Sequence, residues 1–238
     1  MKKILTPFFL FSLYTITVMA QEQATIEGSG NIITKDISVQ PFEAIRAKGL
    51  YELILLQADK ESVQIEADDN LQYLFSVSND GSTLIIDMPK LKDQNINFKN
   101  EKARLKVYVT FKKIKSLDIG VIGKVHSATP LKFDVLEIDS KNVGNINLQL
   151  SANKLTVSNK GVSNITLSGN ATDAVVTNSG VGQFNSEDLV VQTMNINNSG
   201  VGHANVNVTK DLTIKESFLG RVSNKGNAKK HKMDGVVI

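Results

Sequence analysis

Three carboxylates are the residues of this sequence whose spacing could support a reaction. Asp118 and Glu137 lie nineteen residues apart, and Asp139 follows closely. Glycoside hydrolysis uses two carboxyl groups roughly 5 to 9.5 Å apart, one on each side of the scissile bond. If Asp118 and Glu137 occupy one position in adjacent repeats, they approach that spacing. The alternative is solvated charges on an outward face, which we favour because no Arg, Tyr or His column completes a site.

Histidines, cysteines and glycine-rich turns offer no second reactive site. His126, His203 and His231 fall at different repeat positions, whereas a metal needs three or four converging ligands. Cysteine is absent, which excludes disulfides, thiolate ligands and thiol chemistry. Gly28-Ser29-Gly30 and Gly180-Val181-Gly182 lack the remainder of a nucleotide-binding fingerprint and are predicted to be turns. The sequence therefore predicts no catalytic, cofactor-binding or metal-ligating residue, and no cofactor.

One polar column is the best candidate for ligand contact. It takes an outward position in five successive units: Asn145, Asn164, Gln183, His203 and Arg221. Such repetition favours extended, multivalent contact with a glycan or with an envelope or extracellular protein. We therefore predict a non-enzymatic binding or adhesin-like module. The alternatives are a carbohydrate-active β-helix enzyme, hydrolase or lyase, that uses the three carboxylates, and a structural component without a ligand.

Repeats of about nineteen residues must position this column. An apolar residue opens each unit at intervals of 19, 19, 19, 20 and 18: Leu117, Leu136, Leu155, Ala174, Met194 and Leu212. A second column in the same register is predicted to point inward: Val143, Val162, Val181, Val201 and Leu219. A third inward column follows the glycine turns: Ile146, Ile165, Phe184, Ala204 and Val222. Stacking would bury these columns and pair each strand with the next, about 4.8 Å away.

Asparagine recurs in the same register. One column comprises Asn159, Asn178 and Asn198, and another comprises Asn147, Thr166, Asn185, Asn205 and Ser223. Side-chain amides stacked in register can form hydrogen-bonded ladders. A leucine-rich repeat would need a helical or irregular side where these units place β-branched residues, Asn and Gly. The sequence therefore predicts an all-β fold, with a parallel β-solenoid over residues 115–224.

The first twenty residues are predicted to be a secretory signal, with an uncleaved membrane anchor as the alternative. Lys2 and Lys3 precede an apolar stretch, and Val18-Met19-Ala20 offers a cleavage site before Gln21. We expect a periplasmic, cell-surface or secreted protein that is not a lipoprotein, because it lacks cysteine. Removal of residues 1–20 leaves 25 basic against 24 acidic residues, a balance that gives nucleic-acid binding little support.

The remaining segments flank the repeats. Residues 21–114 alternate as strands and are predicted to cap one end, with a hairpin turn at Asn79-Asp80-Gly81-Ser82 and a helical turn between Asp68 and Leu74. Residues 225–238 are predicted to form a polar tail at the other end. Such caps cover strand edges that would otherwise promote aggregation.

Motifs in order along the chain resemble the bacterial, Bacteroidetes-type head GIN domain family of auto-transporter adhesins. They are Gly28-Ser29-Gly30-Asn31-Ile32, Phe42-Glu43-Ala44-Ile45 with Gly49, Leu84-Ile85-Ile86, Val107-Tyr108-Val109-Thr110 and the glycine-rich repeats. The resemblance implies a right-handed parallel β-helix after a signal peptide, but no reaction and no particular ligand. Gly120-Val121-Ile122-Gly123 departs from the family's first turn, so we expect that corner to differ.

Overall fold

The computed structural model describes residues 24–91, 94–97 and 105–233, so the predicted signal segment lies outside the described residues. The strands are β1 (Ala24–Glu27), β2 (Ile32–Ile37), β3 (Ala44–Leu50), β4 (Glu52–Gln57), β5 (Ser62–Asp68), β6 (Ser76–Asp80), β7 (Thr83–Asp87), β8 (Gln94–Asn97), β9 (Lys106–Phe111), β10 (Ser116–Ser127), β11 (Leu131–Ser140), β12 (Val143–Asn159), β13 (Val162–Asn178), β14 (Phe184–Asn198), β15 (Ala204–Glu216), β16 (Val222–Asn224) and β17 (Lys229–Lys232). Two short 3-10 helices are Asp69–Leu74 and Pro89–Leu91.

Parallel pairing dominates the chain and confirms the predicted solenoid. Strands β10 to β15 stack in sequence order, and β12 pairs with β13 from Val143 opposite Val162 to Asn159 opposite Asn178. This register offset of nineteen residues is the repeat read from the sequence. The protein is a β-solenoid of about six turns.

The parallel stack begins before residue 115. Strands β3 and β4 both pair with β10, while β7 pairs with β3 and β9 pairs with β4, all in parallel. Antiparallel strands β5 and β2 then cover β9 at this end of the sheet, and the hairpin of β6 and β7 forms at the predicted turn. At the other end, β17 pairs with β15, so the segment predicted as a polar tail contains a short strand.

Two predicted inward columns form the core. Leu136, Leu155, Ala174, Met194 and Leu212 are paired in register and buried. Ile146, Ile165, Phe184 and Ala204 are also buried, and Val222 packs against them. The predicted alignment of the first unit is wrong: Leu117 lies opposite Ile138, not Leu136. The first repeat is longer by two residues because the chain turns between β10 and β11 at residues 128–130.

The predicted inward orientation of the valine column is wrong. Val181 is 48% exposed, and Val143, Val162, Val201 and Leu219 are exposed with it. The interior at this corner is occupied by asparagine amides, which bond the backbone as it turns. Asn159 Oδ1 accepts hydrogen bonds from the Gly161 N–H at 3.1 Å and from Ser163 Oγ at 3.3 Å. The neighbouring valines therefore point to solvent.

Of the two polar columns predicted to form ladders, the one that begins at Asn159 is confirmed, and it is buried. Within the described residues, no hydrogen bond joins the side chains of the column that begins at Asn147. Asn159 Nδ2 donates to Asn178 Oδ1 at 2.8 Å, and Asn178 Nδ2 donates to Asn198 Oδ1 at 2.7 Å. The ladder ends where Asn198 Nδ2 donates to the carbonyls of Gly202 and Arg221. All three side chains are at most 3% exposed. Their hydrogen bonds therefore avoid the free-energy cost of burying an unpaired amide donor.

Candidate binding surface

The register of the solenoid places the five predicted contact residues side by side. Asn145 lies opposite Asn164. The backbone bonds Phe184 N to His203 O and Ala204 N to Arg221 O continue the same column through the later coils. All five side chains are exposed. We call Asn145, Asn164, Gln183, His203 and Arg221 the polar column; its role in binding stays a prediction.

Most hydrogen-bonding groups of the polar column face solvent. Asn164 Oδ1 accepts from the Gln183 N–H at 3.0 Å, and Asn164 Nδ2 lies 3.4 Å from Asn145 Oδ1. Within the described ranges, the side chains of Gln183, His203 and Arg221 make no hydrogen bond. These amide, imidazole and guanidinium groups therefore remain available to an external partner.

The same column continues into the N-terminal coils as alternating charges. Lys124 stands next to Asn145 and lies 3.8 Å from Glu52. Beyond Glu52, Lys106 Nζ donates to Glu66 at 2.6 Å, and this bond raises the pKa of Lys106. Sequence reasoning missed this extension because these strands lie outside the repeats. Its charges are mutually paired, so the unpaired part of the column is the repeat region.

A histidine lies beside this charged extension. His126 Nδ1 is 3.3 Å from Glu52 Oε1. Partial burial and nearby Lys124 lower the pKa of His126, while Glu52 opposes that shift. The imidazole is therefore neutral near neutral pH and is not a cationic contact.

An apolar column runs directly beside the polar column. Its six members are each about half exposed or more: Ile122, Val143, Val162, Val181, Val201 and Leu219. We call these residues the apolar ridge. A glycine at positive φ follows the ridge residue in most coils, as at Gly144, Gly182 and Gly202. Side chains alternate between the two faces of a strand, so the residues before and after the glycine both point outward.

The three candidate carboxylates are not arranged as the sequence predicted. Asp118 lies opposite Asp139, and Glu137 lies opposite Ser116, so the prediction that Asp118 and Glu137 share a column is wrong. Asp118 Oδ2 is held by Arg46 Nε at 3.1 Å. In the described part of the chain, no group of three or more His, Asp or Glu residues could hold a metal ion.

Sequence reasoning also missed a cleft of about 530 Å³ between the loop after β9 and the start of β11. Its lining includes Lys112, Lys113, Lys115 and Lys132 around Phe133. Phe133 stacks on Phe111 with ring centroids 6.1 Å apart, and Lys115 pairs with Glu43 at 2.7 Å. Lys112, Lys113 and Lys115 are close together in the sequence, and the coil geometry brings Lys132 to them.

No helix in the described ranges has the length and apolarity needed to cross a membrane. Residues 41–228 match the family model described as "Putative auto-transporter adhesin, head GIN domain". No curated protein matches the sequence.

Solved bacterial structures share the fold. A putative adhesin from Bacteroides fragilis is 28% identical with a TM-score of 0.73, and the match covers 87% of this chain and 100% of that one. A putative lipid binding protein from Parabacteroides distasonis is 21% identical with a TM-score of 0.65, covering 87% and 95% of the two chains. A putative adhesin from Parabacteroides merdae is 21% identical with a TM-score of 0.61, covering 88% and 95%.

Proposed function

Since the chain belongs to the auto-transporter adhesin head GIN domain family, we propose that it is an exported, non-enzymatic, adhesin-like module that binds its ligand through the polar column. We place it in the periplasm, on the cell surface or in the medium. The carrying observation is the alignment of five exposed polar side chains on successive coils. A glycan or an envelope or extracellular protein is the proposed partner.

The geometry of the polar column favours repeated weak contacts over one deep pocket. Adjacent coils are about 4.8 Å apart, so equivalent side chains meet a partner at regular short intervals. Amide groups both donate and accept hydrogen bonds, while Arg221 at one end supplies positive charge. Several such contacts made together give useful avidity even when each is weak.

The carboxylate arrangement does not favour the alternative enzyme. A glycosidase needs one protonated and one ionised carboxyl across the bond, whereas Asp118 is ion-paired with Arg46. Glu137 and Asp139 lie on either side of the buried Ile138. Glu137 is opposite Ser116, and Asp139 is opposite Asp118. We therefore propose binding without bond cleavage.

Alanine at three positions of the polar column tests the proposal. Residues 21–238 and the triple variant Asn164→Ala/Gln183→Ala/His203→Ala are applied to a broad array of glycans and envelope proteins. We expect the variant to lose about tenfold or more in affinity for whatever the parent binds, because each lost contact multiplies through avidity. Reducing-end release is measured on the same glycans and is expected to be absent.

The matched control removes three exposed side chains on another strand face, in Thr156→Ala/Thr193→Ala/Asn195→Ala. Equal loss of affinity in both triple variants would place the contact elsewhere. Release of reducing ends that disappears in Glu137→Ala or Asp139→Ala would replace the binding module with an enzyme.

A further inference from the structure

The apolar ridge is an exposed line of aliphatic side chains along one corner of the solenoid. Its six members lie on successive coils and are 47% to 59% exposed. Five steps of about 4.8 Å give the ridge a length of about 24 Å. Phe218, beside its last member, is 81% exposed. Water-facing apolar residues repeated at one structural position indicate a contact surface more than scattered surface hydrophobics do.

Both columns that flank the apolar ridge are cationic or neutral. On one side, backbone register aligns Lys141, Lys160, Ser179 and Ser199. On the other side lie Lys124 and the polar column, which ends in Arg221. The neighbouring carboxylates lie at the two ends, where Glu52 is beside Lys124, and Glu216 pairs with Lys232 and also interacts with Arg221. Between these two ends, the described residues of both flanking columns include no carboxylate.

We propose that the apolar ridge docks on an anionic lipid bilayer surface. The aliphatic side chains and Phe218 enter the interfacial layer, while Lys141, Lys160 and Arg221 contact headgroup phosphates. A ridge one side chain wide suits shallow contact with headgroups. This inference deepens the proposed function and rests on it, because the polar column forms one flank of the docking surface.

A second copy of the chain fits this surface less well. Two apolar ridges brought together would also bring together the lysines on their flanks, which repel at low dielectric. Stable dimers bury about 800 Å² on each partner, and a single row of half-exposed valines offers less. An anionic surface instead complements both the apolar line and its cationic edges.

Vesicle flotation tests the docking. Residues 21–238 are mixed with phosphatidylcholine vesicles that contain about one third phosphatidylglycerol, and with phosphatidylcholine alone. We expect binding to the anionic vesicles that weakens as salt rises. The ridge variant Val143→Thr/Val162→Thr/Val181→Thr/Val201→Thr keeps the β-branched shape and is expected to weaken vesicle binding about tenfold or more.

Matched control variants separate the ridge from general surface properties. Val135→Thr/Val175→Thr/Val190→Thr changes three valines that are equally exposed but lie off the ridge, and we expect vesicle binding to stay unchanged. Lys141→Gln/Lys160→Gln is expected to reduce binding to anionic vesicles several-fold, whereas Lys154→Gln/Lys229→Gln, with the same charge change, is not. Thermal unfolding of each variant confirms that it is folded.

A single reporter reads insertion without altering the ridge valines. The chain has no tryptophan, so Phe218→Trp gives one emission signal, which we expect to shift to shorter wavelength on anionic vesicles. The inference is overturned if the parent chain does not bind these vesicles, or if the ridge variant and the control variant lose vesicle binding equally. If glycan or protein binding through the polar column persists in that case, the proposed function stands without the membrane contact. A dimer that the ridge variant abolishes would instead assign the apolar ridge to a second copy of the chain.

Discussion

Alanine at Gly202 is expected to destabilise the solenoid by about 3 kcal/mol or more, because it forces a side chain between two stacked coils. Gly202 has φ 137°, a conformation that L side chains rarely adopt. An added Cβ would press on the carbonyl oxygen of Gly182 in the preceding coil and lie 2.9 Å from its carbonyl carbon. Backbone atoms of a paired strand cannot move aside without breaking the stack.

Chemical denaturation of Gly202→Ala and of a matched control measures this effect. Gly81 in the hairpin turn also has positive φ, 55°, but a Cβ there meets nothing within 4 Å. Gly81→Ala should therefore cost only about 1 kcal/mol of left-handed strain. Similar losses in the two variants would mean that the coils do not approach as closely as the structure shows.

Aspartate at Asn178 is expected to destabilise the fold by about 3 kcal/mol or more, since it places a carboxylate inside the asparagine ladder. Asn178 is 1% exposed. The substitution keeps the shape but replaces the amide that donates to Asn198 Oδ1 at 2.7 Å with an oxygen that repels it. Asn195→Asp, at an exposed position on β14, is the control and should cost little.

The pH dependence of Asn178→Asp separates charge burial from lost packing. Burial raises the pKa of the new carboxyl above its unfolded value of about 3.9. The folded state then holds a proton that the unfolded state releases, so stability falls as pH rises above about 4. We expect urea unfolding to show a smaller deficit at pH 4 than at pH 7. A deficit independent of pH, or one shared by Asn195→Asp, would remove the buried ladder from the account.

The coil was predictable from the repeat length, because stacking imposes one register on every column of side chains. This register was predicted correctly for Leu155, Ala174 and Met194, and also for Asn159, Asn178 and Asn198. The first coil did not, since the connection after β10 adds two residues and aligns Leu117 with Ile138. The coils built from β3 and β4 and from β7 and β9 were not predicted, because their strands are not in chain order and their sequences carry no internal repeat.

The direction of a side chain at a corner was harder to predict than its register. Alternation places Ala174, Val176 and Asn178 inside and therefore Val181 outside, but the apolar character of Val181 favoured a core position. The buried Asn178 then fills the interior, and this exchange of a polar for an apolar residue runs against hydropathy. The polar column was predictable from register alone, whereas predicting the apolar ridge required alternation to outweigh hydropathy.

Site-specific photocrosslinking determines whether the corner bearing the polar column contacts the protein's partner. Gln183→p-benzoylphenylalanine and Thr193→p-benzoylphenylalanine are irradiated in the full chain expressed by intact cells. Both positions are exposed and lie on neighbouring segments of the solenoid. We expect light-dependent adducts, seen by mass spectrometry, at position 183 and few or none at position 193. Equal adducts at both positions, or adducts at position 193 alone, would contradict this contact.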